Sequence, residues 1–257
     1  MPQYNFHVPR VYINAPLAAG QSVSFDRGQV NYLANVLRLK EGDALLLFNG
    51  RDGEWQAHLA ESGRRTLTAT VGARQRTQPP ASDLHFLFAP LKRARLDYLV
   101  QRAVEMGASR LYPVITRHTQ VARVNLERMR ANVIEAAEQC GIVALADVAE
   151  PAAFHGAIAA LEAERLLVFC DEAAEVQDPV AALAAARRAG ASLAVLIGPE
   201  GGFAADERAA LLNRPNVVGI ALGPRILRAD TAAVAALALV QAVLGDWGRA
   251  SLRPDQT

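Results

Sequence analysis

From residue 84 onward, short unbroken apolar runs alternate with stretches of helical spacing. Residues 84–89, 111–115, 166–170, 193–197 and 217–222 are apolar almost throughout rather than at every second position. A strand of that kind has both faces covered, which is the condition of a parallel sheet flanked by helices. The spacing predicts helices over 95–106 (closed by Gly107), 126–139, 179–189 (closed by Gly190), 206–212 and 231–244. This part of the chain is therefore expected to be α/β, with a mostly parallel sheet.

The N-terminal stretch has a different rhythm. Residues 11–13, 22–25, 44–48, 54–59 and 66–71 are strand-like, and one helix is expected within 30–39. Asn49-Gly50 and Asp52-Gly53 are turn signals that predict a hairpin between the third and fourth of these strands. Several short strands and a helix in so few residues predict a small β-barrel. Residues 73–83 are polar and contain Pro79-Pro80, so they are expected to be a linker. The division is drawn as a first domain over 1–75 and a second over 76–257.

Bulk properties exclude more than they assign. The 257 residues carry a formal net charge of +1, so no global field marks a polyanionic partner. That balance is uneven along the chain. Residues 92–130 hold nine Lys/Arg against three Asp/Glu, whereas residues 131–257 hold nine against sixteen. A basic first half attracts phosphate, or is simply a solvated helix face. Cys140 and Cys170 form no paired motif, and no Cys/His cluster has zinc spacing, so no metal is expected. The five histidines are scattered, and each is expected to be a surface or satisfied core residue. No signal-peptide pattern opens the chain, and the apolar stretch 232–244 is shorter than a membrane span, so a cytoplasmic protein without a membrane partner is expected.

Two of the predicted strands end in unusual loops. One is followed by Gly198-Pro199-Glu200-Gly201-Gly202-Phe203, the other by Gly223-Pro224-Arg225-Ile226-Leu227-Arg228. Ligands of open α/β sheets bind beyond the carboxyl ends of strands. Glycines there admit close approach of backbone to a ligand, and prolines stiffen the loop. One such loop alone reads better as a tight strand-to-helix turn; two after consecutive strands point to a shared pocket. The chain has no G-x-G pair, no Gly-Lys-Ser/Thr, no G-x-S-x-G and no H-E-x-x-H. Dinucleotide, P-loop, esterase and zincin chemistries therefore lack their parts.

The run from Leu196 to Phe203 and the run from Leu222 to Arg228 resemble the two cofactor loops of the SPOUT methyltransferases. Their pairing resembles one branch, the bacterial 16S rRNA uridine-N3 methyltransferases of the RsmE type. The resemblance extends through Pro9-Arg10-Val11-Tyr12, Asn35-Val36-Leu37-Arg38-Leu39, Glu41-Gly42-Asp43 and Phe48-Asn49-Gly50, which are similar to a PUA-like domain. Lys92-Arg93, the run from Gln101 to Gly107 and the run from Glu135 to Gly141 are similar to the start of the catalytic domain. Three positions depart from the family pattern. Asn49 replaces an Asp in a turn, where small consequence is expected. Ala204 replaces a helix-capping Ser, and Asp230 replaces a Glu.

The resemblance implies a SPOUT domain with a C-terminal trefoil knot behind a PUA-like β-barrel, and a homodimer. It implies S-adenosyl-L-methionine as cofactor, and N3 of a uridine near the 3′ end of 16S rRNA as target, with the assembled small ribosomal subunit as partner. Another RNA such as tRNA, or a non-catalytic RNA-binding role in ribosome assembly, are the alternatives. Cofactor binding is expected at Leu196, Ile197, Gly198, Pro199, Gly201, Gly202, Leu222, Gly223, Ile226 and Leu227. It would rest mostly on loop backbone, with the apolar members walling the adenine or packing the core. Uridine N3 carries a proton, so a base or a cation that stabilises the uridine anion is needed. Arg228 is the first candidate for the cation; the other reading is a salt bridge to Glu200 or Asp230. Glu200 orients or deprotonates, or satisfies loop amides. Thr231 bonds the base, or caps the final helix. Arg10, Arg38, Lys92, Arg93, Arg95 and Arg102 are the candidate RNA contacts, each with plain solvation as its alternative.

Overall fold

The computed structural model describes residues 8–62, 66–121, 123–174, 178–187 and 192–247. Packing divides the chain into two units, Met1–Ala81 with Ala137–Leu145, and Ser82–Ala136 with Ala146–Thr257.

The first unit is built on five strands: β1 (Arg10–Tyr12), β2 (Ser22–Ser24), β3 (Ala44–Phe48), β4 (Glu54–Ser62) and β5 (Leu67–Arg76). Their order is β1-β3-β4-β5-β2, with β1 parallel to β3 and the other pairs antiparallel. The sheet curls into a half-barrel whose edges are β1 and β2. Three register shifts between β4 and β5 supply the bend that regular pleating lacks. Its core follows the period of two: Leu45 and Leu47, Ala57 and Leu59, and Leu67, Ala69 and Val71 all point inward. β5 runs through Arg76, so the first four residues of the expected linker are strand instead.

The helix of this unit starts earlier than expected. Asp26 accepts from the Gln29 amide and the Gln29 side chain returns a bond to Asp26, a capping box that opens α1 (Arg27–Val30). α1 then widens into a π-helical turn over Asn31–Val36. Arg38, at φ +57°, lies just beyond it. The expected hairpin joins β3 and β4, and Asn49 does more there than substitute in a turn. Its carboxamide accepts from the Arg51 and Asp52 amides and donates to Ala15 O and to the Asp52 carboxylate. An ionised Asp in its place has no such donor. The Asn49 bond, followed by one from the Leu17 amide, holds the Asp52 carboxyl below its usual range.

The second unit alternates strand and helix: β6 (Leu84–Phe88), α2 (Arg93–Glu105), β7 (Arg110–Ile115), α3 (Leu126–Cys140), β8 (Asp147–Val148), β9 (Ala152–Ala153), α4 (Phe154–Ala159), β10 (Leu166–Cys170), α5 (Pro179–Ala185), β11 (Leu193–Ile197), α6 (Ala205–Leu212), β12 (Val217–Ile220) and α7 (Ala229–Val243). The last turn of α3, from Ala137, is counted with the first unit. Every strand pair is parallel, in the order β12-β10-β11-β6-β7-β8, with β9 also on β7. β6, β10 and β11 are buried on both faces, as their unbroken apolar runs require. On one face Leu87, Leu167, Phe169, Ala194 and Leu196 pack with Phe154 and Leu211.

Three elements, β8, β9 and α4, carry no sequence expectation. α5 ends at Ala185, and the closing residues expected for it, Ala189 and Gly190, lie outside the described residues. β12 is shorter than expected, and α7 opens two residues earlier, with Arg228 as its N-cap residue. Thr231 therefore does not cap the last helix.

Candidate active site

The path of the second unit reverses between two neighbouring strands. From β6 the chain moves through β7 to β8 at one edge; β11, β10 and β12 lie on the other side of β6. Ligands of open α/β sheets bind at such a reversal, beyond the carboxyl ends of the strands. A cleft of about 220 Å³ lies there. It is bordered by Lys92 and Arg95 at the start of α2, His118 and Gln120 after β7, and Pro199 and Glu200 after β11.

The loop after β11 is fixed from several directions. The Gly202 amide donates to Pro199 O at 2.9 Å, which closes a turn, and Gly202 has φ +70°. His118 Nδ1 lies 3.2 Å from Gly201 O and 3.0 Å from Gly202 O. Carbonyls only accept, so Nδ1 carries the hydrogen and His118 donates to both. A Cβ on Gly198 would come within 2.9 Å of the Phe203 ring, and one on Gly201 within 3.4 Å of His118 Cβ. Glycine at 198 therefore lets the Phe203 ring pack directly against the loop backbone, and glycine at 201 leaves room for His118 beside it.

α6 follows directly. Ala204 is its N-cap residue and has no side-chain oxygen to offer, so half of a capping box is missing. The other half remains: Glu207 Oε2 accepts from the Ala204 amide at 2.9 Å, and Oε1 accepts from the Arg117 amide at 2.8 Å. Arg117 also pairs with Asp206 at 2.8 Å. These bonds tie the segment carrying His118 to the start of α6, on either side of the glycine loop.

Arg95 makes the densest set of charge contacts at the cleft. Its Nε donates to Asp230 Oδ2 at 3.0 Å, its Nη2 to Asp230 Oδ1 at 3.1 Å, and its Nη1 to Glu200 Oε1. Asp230, and after it Glu200, raise the guanidinium's pKa above its already high value. Reciprocally, Arg95 holds the Asp230 carboxyl below the usual range. The salt bridge considered for Arg228 is therefore made by Arg95. Three of Arg95's donors are committed to carboxylates, which leaves it a poor phosphate ligand. Arg228 is exposed and makes no hydrogen bond or ion pair among the described residues, so its guanidinium is available to a ligand.

The second expected loop leaves the same edge of the sheet. β10 separates β12 from β11, so the two loops start roughly 10 Å apart. Gly223 has φ +90°. Ile226 is 92% exposed and walls nothing within this chain. Leu222 and Leu227 are half-buried. Leu196 and Ile197 are core residues. At the end of β10, the buried carboxylate of Asp171 accepts from the Arg208 guanidinium at 2.9 Å and from the Ala173 amide.

The candidate RNA contacts separate by environment. In the first unit, Arg10 is buried and pairs with Glu54 at 2.5 Å, so it is a structural cation rather than a surface one. Arg38 is exposed. In the second unit, Lys92 and Arg93 are exposed at the N-terminus of α2, where free amides also favour anions. Arg102 is engaged with Glu105 at 2.7 Å and lies over the Tyr98 ring. His118, expected to be a surface or satisfied core histidine, is exposed and also pins the glycine loop. Its spacing from that loop, 83 residues, gives no local signal. Among the described residues no cluster of three His, Cys, Asp or Glu suits a metal, and no helix is long and apolar enough to cross a membrane.

Comparison with known proteins matches this geometry to a family. An RNA methyltransferase domain matches residues 77–241, and an RNA methyltransferase PUA domain matches residues 25–72. The ribosomal RNA small subunit methyltransferase E of Rickettsia conorii is 32% identical over 237 residues, covering 90% of this chain and 94% of its own. That of Synechocystis is 30% identical, covering 87% of this chain and 74% of its own. Among solved structures, the Neisseria gonorrhoeae ribosomal RNA small subunit methyltransferase E bound to S-adenosyl methionine superposes with a TM-score of 0.82. It is 27% identical and covers 94% of this chain and 100% of its own. The chain belongs to the RNA methyltransferase family of which the ribosomal RNA small subunit methyltransferases E are members.

Proposed function

We propose that this chain transfers a methyl group from S-adenosyl-L-methionine to N3 of a uridine near the 3′ end of 16S rRNA. The observation that carries the reading is the likeness across nearly the whole chain, both units included, to the Neisseria enzyme with its cofactor bound. The Gly198–Gly202 loop fits such a cofactor: it borders the cleft at the strand reversal, and its tight turn, with Gly202 at φ +70°, presents main chain rather than bulky side chains. When bound, S-adenosylmethionine supplies a methyl group activated by its sulfonium.

This chain's residues then have three tasks. The main chain of Gly198, Pro199, Gly201, Gly202, Gly223 and Leu227 holds the cofactor. The site aligns the target base with the methyl group, which converts a bimolecular encounter into an oriented one. Arg228, free of protein partners among the described residues, faces the uridine oxygens and stabilises the anion left when the N3 proton passes to solvent water. Glu200 is held by Arg95 and acts through orientation rather than as the base. Thr231 lies in the first turn of α7 beside Arg228, within the same segment.

The first unit serves as the RNA-recognition module, with Arg38, Lys92 and Arg93 as the phosphate contacts of the whole chain. The small ribosomal subunit in the cytoplasm is the partner. A homodimer covers Ile226, and the trefoil threading of the family underlies the two loops. Nucleoside mapping of rRNA from a strain lacking the protein tests the reading. Loss of 3-methyluridine from 16S rRNA supports it; unchanged 3-methyluridine there, with a methyl group missing from tRNA, rejects it.

A further inference from the structure

Three chain segments meet at Arg95. It belongs to the first turn of α2; Glu200 belongs to the loop after β11, and Asp230 to the first turn of α7 after the second loop. Its side chain is 31% exposed, that of Asp230 18% and that of Glu200 46%. Ion pairs this exposed add little to global stability. Their geometry is another matter. The planar fork takes both oxygens of Asp230 with Nε and Nη2, and its remaining Nη1 reaches Glu200. An ammonium on a flexible stem cannot span both carboxylates in a fixed plane.

We propose that Arg95 is a positioning residue for methyl transfer: its guanidinium sets the glycine loop, through Glu200, and the start of α7, through Asp230, in one register. Both halves of the cofactor pocket then depend on one side chain. The short Asp230 carboxylate receives a two-bond contact because the arginine supplies the reach. The arginine also balances charge at the cleft, where Glu200 and Asp230 would otherwise repel RNA. This inference rests on the reading of the Gly198–Gly202 loop as part of the cofactor site.

The test uses the full-length protein and its charge-conserving variant Arg95→Lys, with Arg95→Gln and Arg95→Gln/Asp230→Asn beside it. Cofactor affinity is read by calorimetry, loop order by hydrogen exchange of the 198–202 amides, and RNA affinity as a function of salt. Arg95→Lys is expected to weaken S-adenosylmethionine binding by about tenfold, as loss of a charge-assisted fork implies. Exchange of the loop amides speeds up, while the melting temperature and the salt slope of RNA binding stay those of the parent. Adding Asp230→Asn to Arg95→Gln changes cofactor affinity by less than about twofold, since the partner is already gone. If Arg95→Lys binds cofactor like the parent, or if Arg95→Gln lowers only the salt slope of RNA binding, Arg95 is not the positioning residue. A parent protein that binds no S-adenosylmethionine would instead reject the cofactor-site reading beneath it.

Discussion

Arg95 and Asp230 stand 135 positions apart in the chain and are joined by two hydrogen bonds, Nε to Oδ2 at 3.0 Å and Nη2 to Oδ1 at 3.1 Å. That contact occupies one of the six basic residues that the sequence offers as candidate RNA contacts. Arg228 has no protein partner among the described residues, and Glu200 and Asp230, the partners of its alternative salt-bridge reading, are both ionic partners of Arg95.

Arg228 is therefore expected to act on substrate. Arg228→Ala should keep S-adenosylmethionine affinity within about twofold and lose turnover by roughly 100-fold, the scale of removing one preorganised charge-stabilising donor. Isothermal calorimetry and single-turnover methylation read the two quantities separately. Equal loss of both would place Arg228 in the cofactor pocket.

His118 is expected to act on the loop. His118→Ala removes the donor shared by the Gly201 and Gly202 carbonyls and should weaken cofactor binding about fivefold, the worth of roughly 1 kcal/mol. His118→Asn places an amide nitrogen where Nδ1 lies and should retain most of the affinity. Indistinguishable losses in the two variants would show that the hydrogen bond is not what matters.

Ala204 offers a gain. Ala204→Ser supplies the missing N-cap acceptor of α6 and should raise stability by about 1 kcal/mol in denaturant titration. The residue is 7% exposed, so a variant that is less stable than the parent would mean that the added oxygen finds no room at the cap.

Glu54 is the charged centre of the first unit. Burial pushes its pKa up, but the bonds from Arg76 and then Arg10 outweigh that and hold it below the usual range. A carboxylate with a depressed folded pKa contributes stability above its unfolded pKa, of about 4.3, and loses it as pH falls through the lower folded value. Glu54→Gln leaves Arg10 buried without its counter-charge and should cost about 3 kcal/mol at neutral pH. The difference between parent and variant should shrink below pH 4, and chemical denaturation at pH 7 and pH 3 measures it. A difference that stays constant between the two would contradict the role given to the charge.

The legible parts of the chain were those governed by local pattern. The runs 44–48, 166–170 and 193–197 are strands with those bounds, because continuous burial writes itself into consecutive residues. The glycine loop was legible for the same reason. β8 and β9, at two residues each, are too short to carry a period. Residues 137–145 join the first unit because Ala137 and Val143 pack on Phe48, a contact between distant segments that hydropathy along the chain does not record. Arg10 looked like a phosphate contact because its partner Glu54 is 44 positions away, and burial is not visible in a residue's type. The same blindness hid His118 and redirected Arg95.

The central claim is the transfer itself. Purified protein, small ribosomal subunits carrying unmodified 16S rRNA and methyl-labelled S-adenosylmethionine test it directly, with nucleoside mass spectrometry of the product. The account predicts label in 3-methyluridine at one site near the 3′ end of 16S rRNA. Label in another nucleoside, or none with the parent protein bound to cofactor, would contradict it.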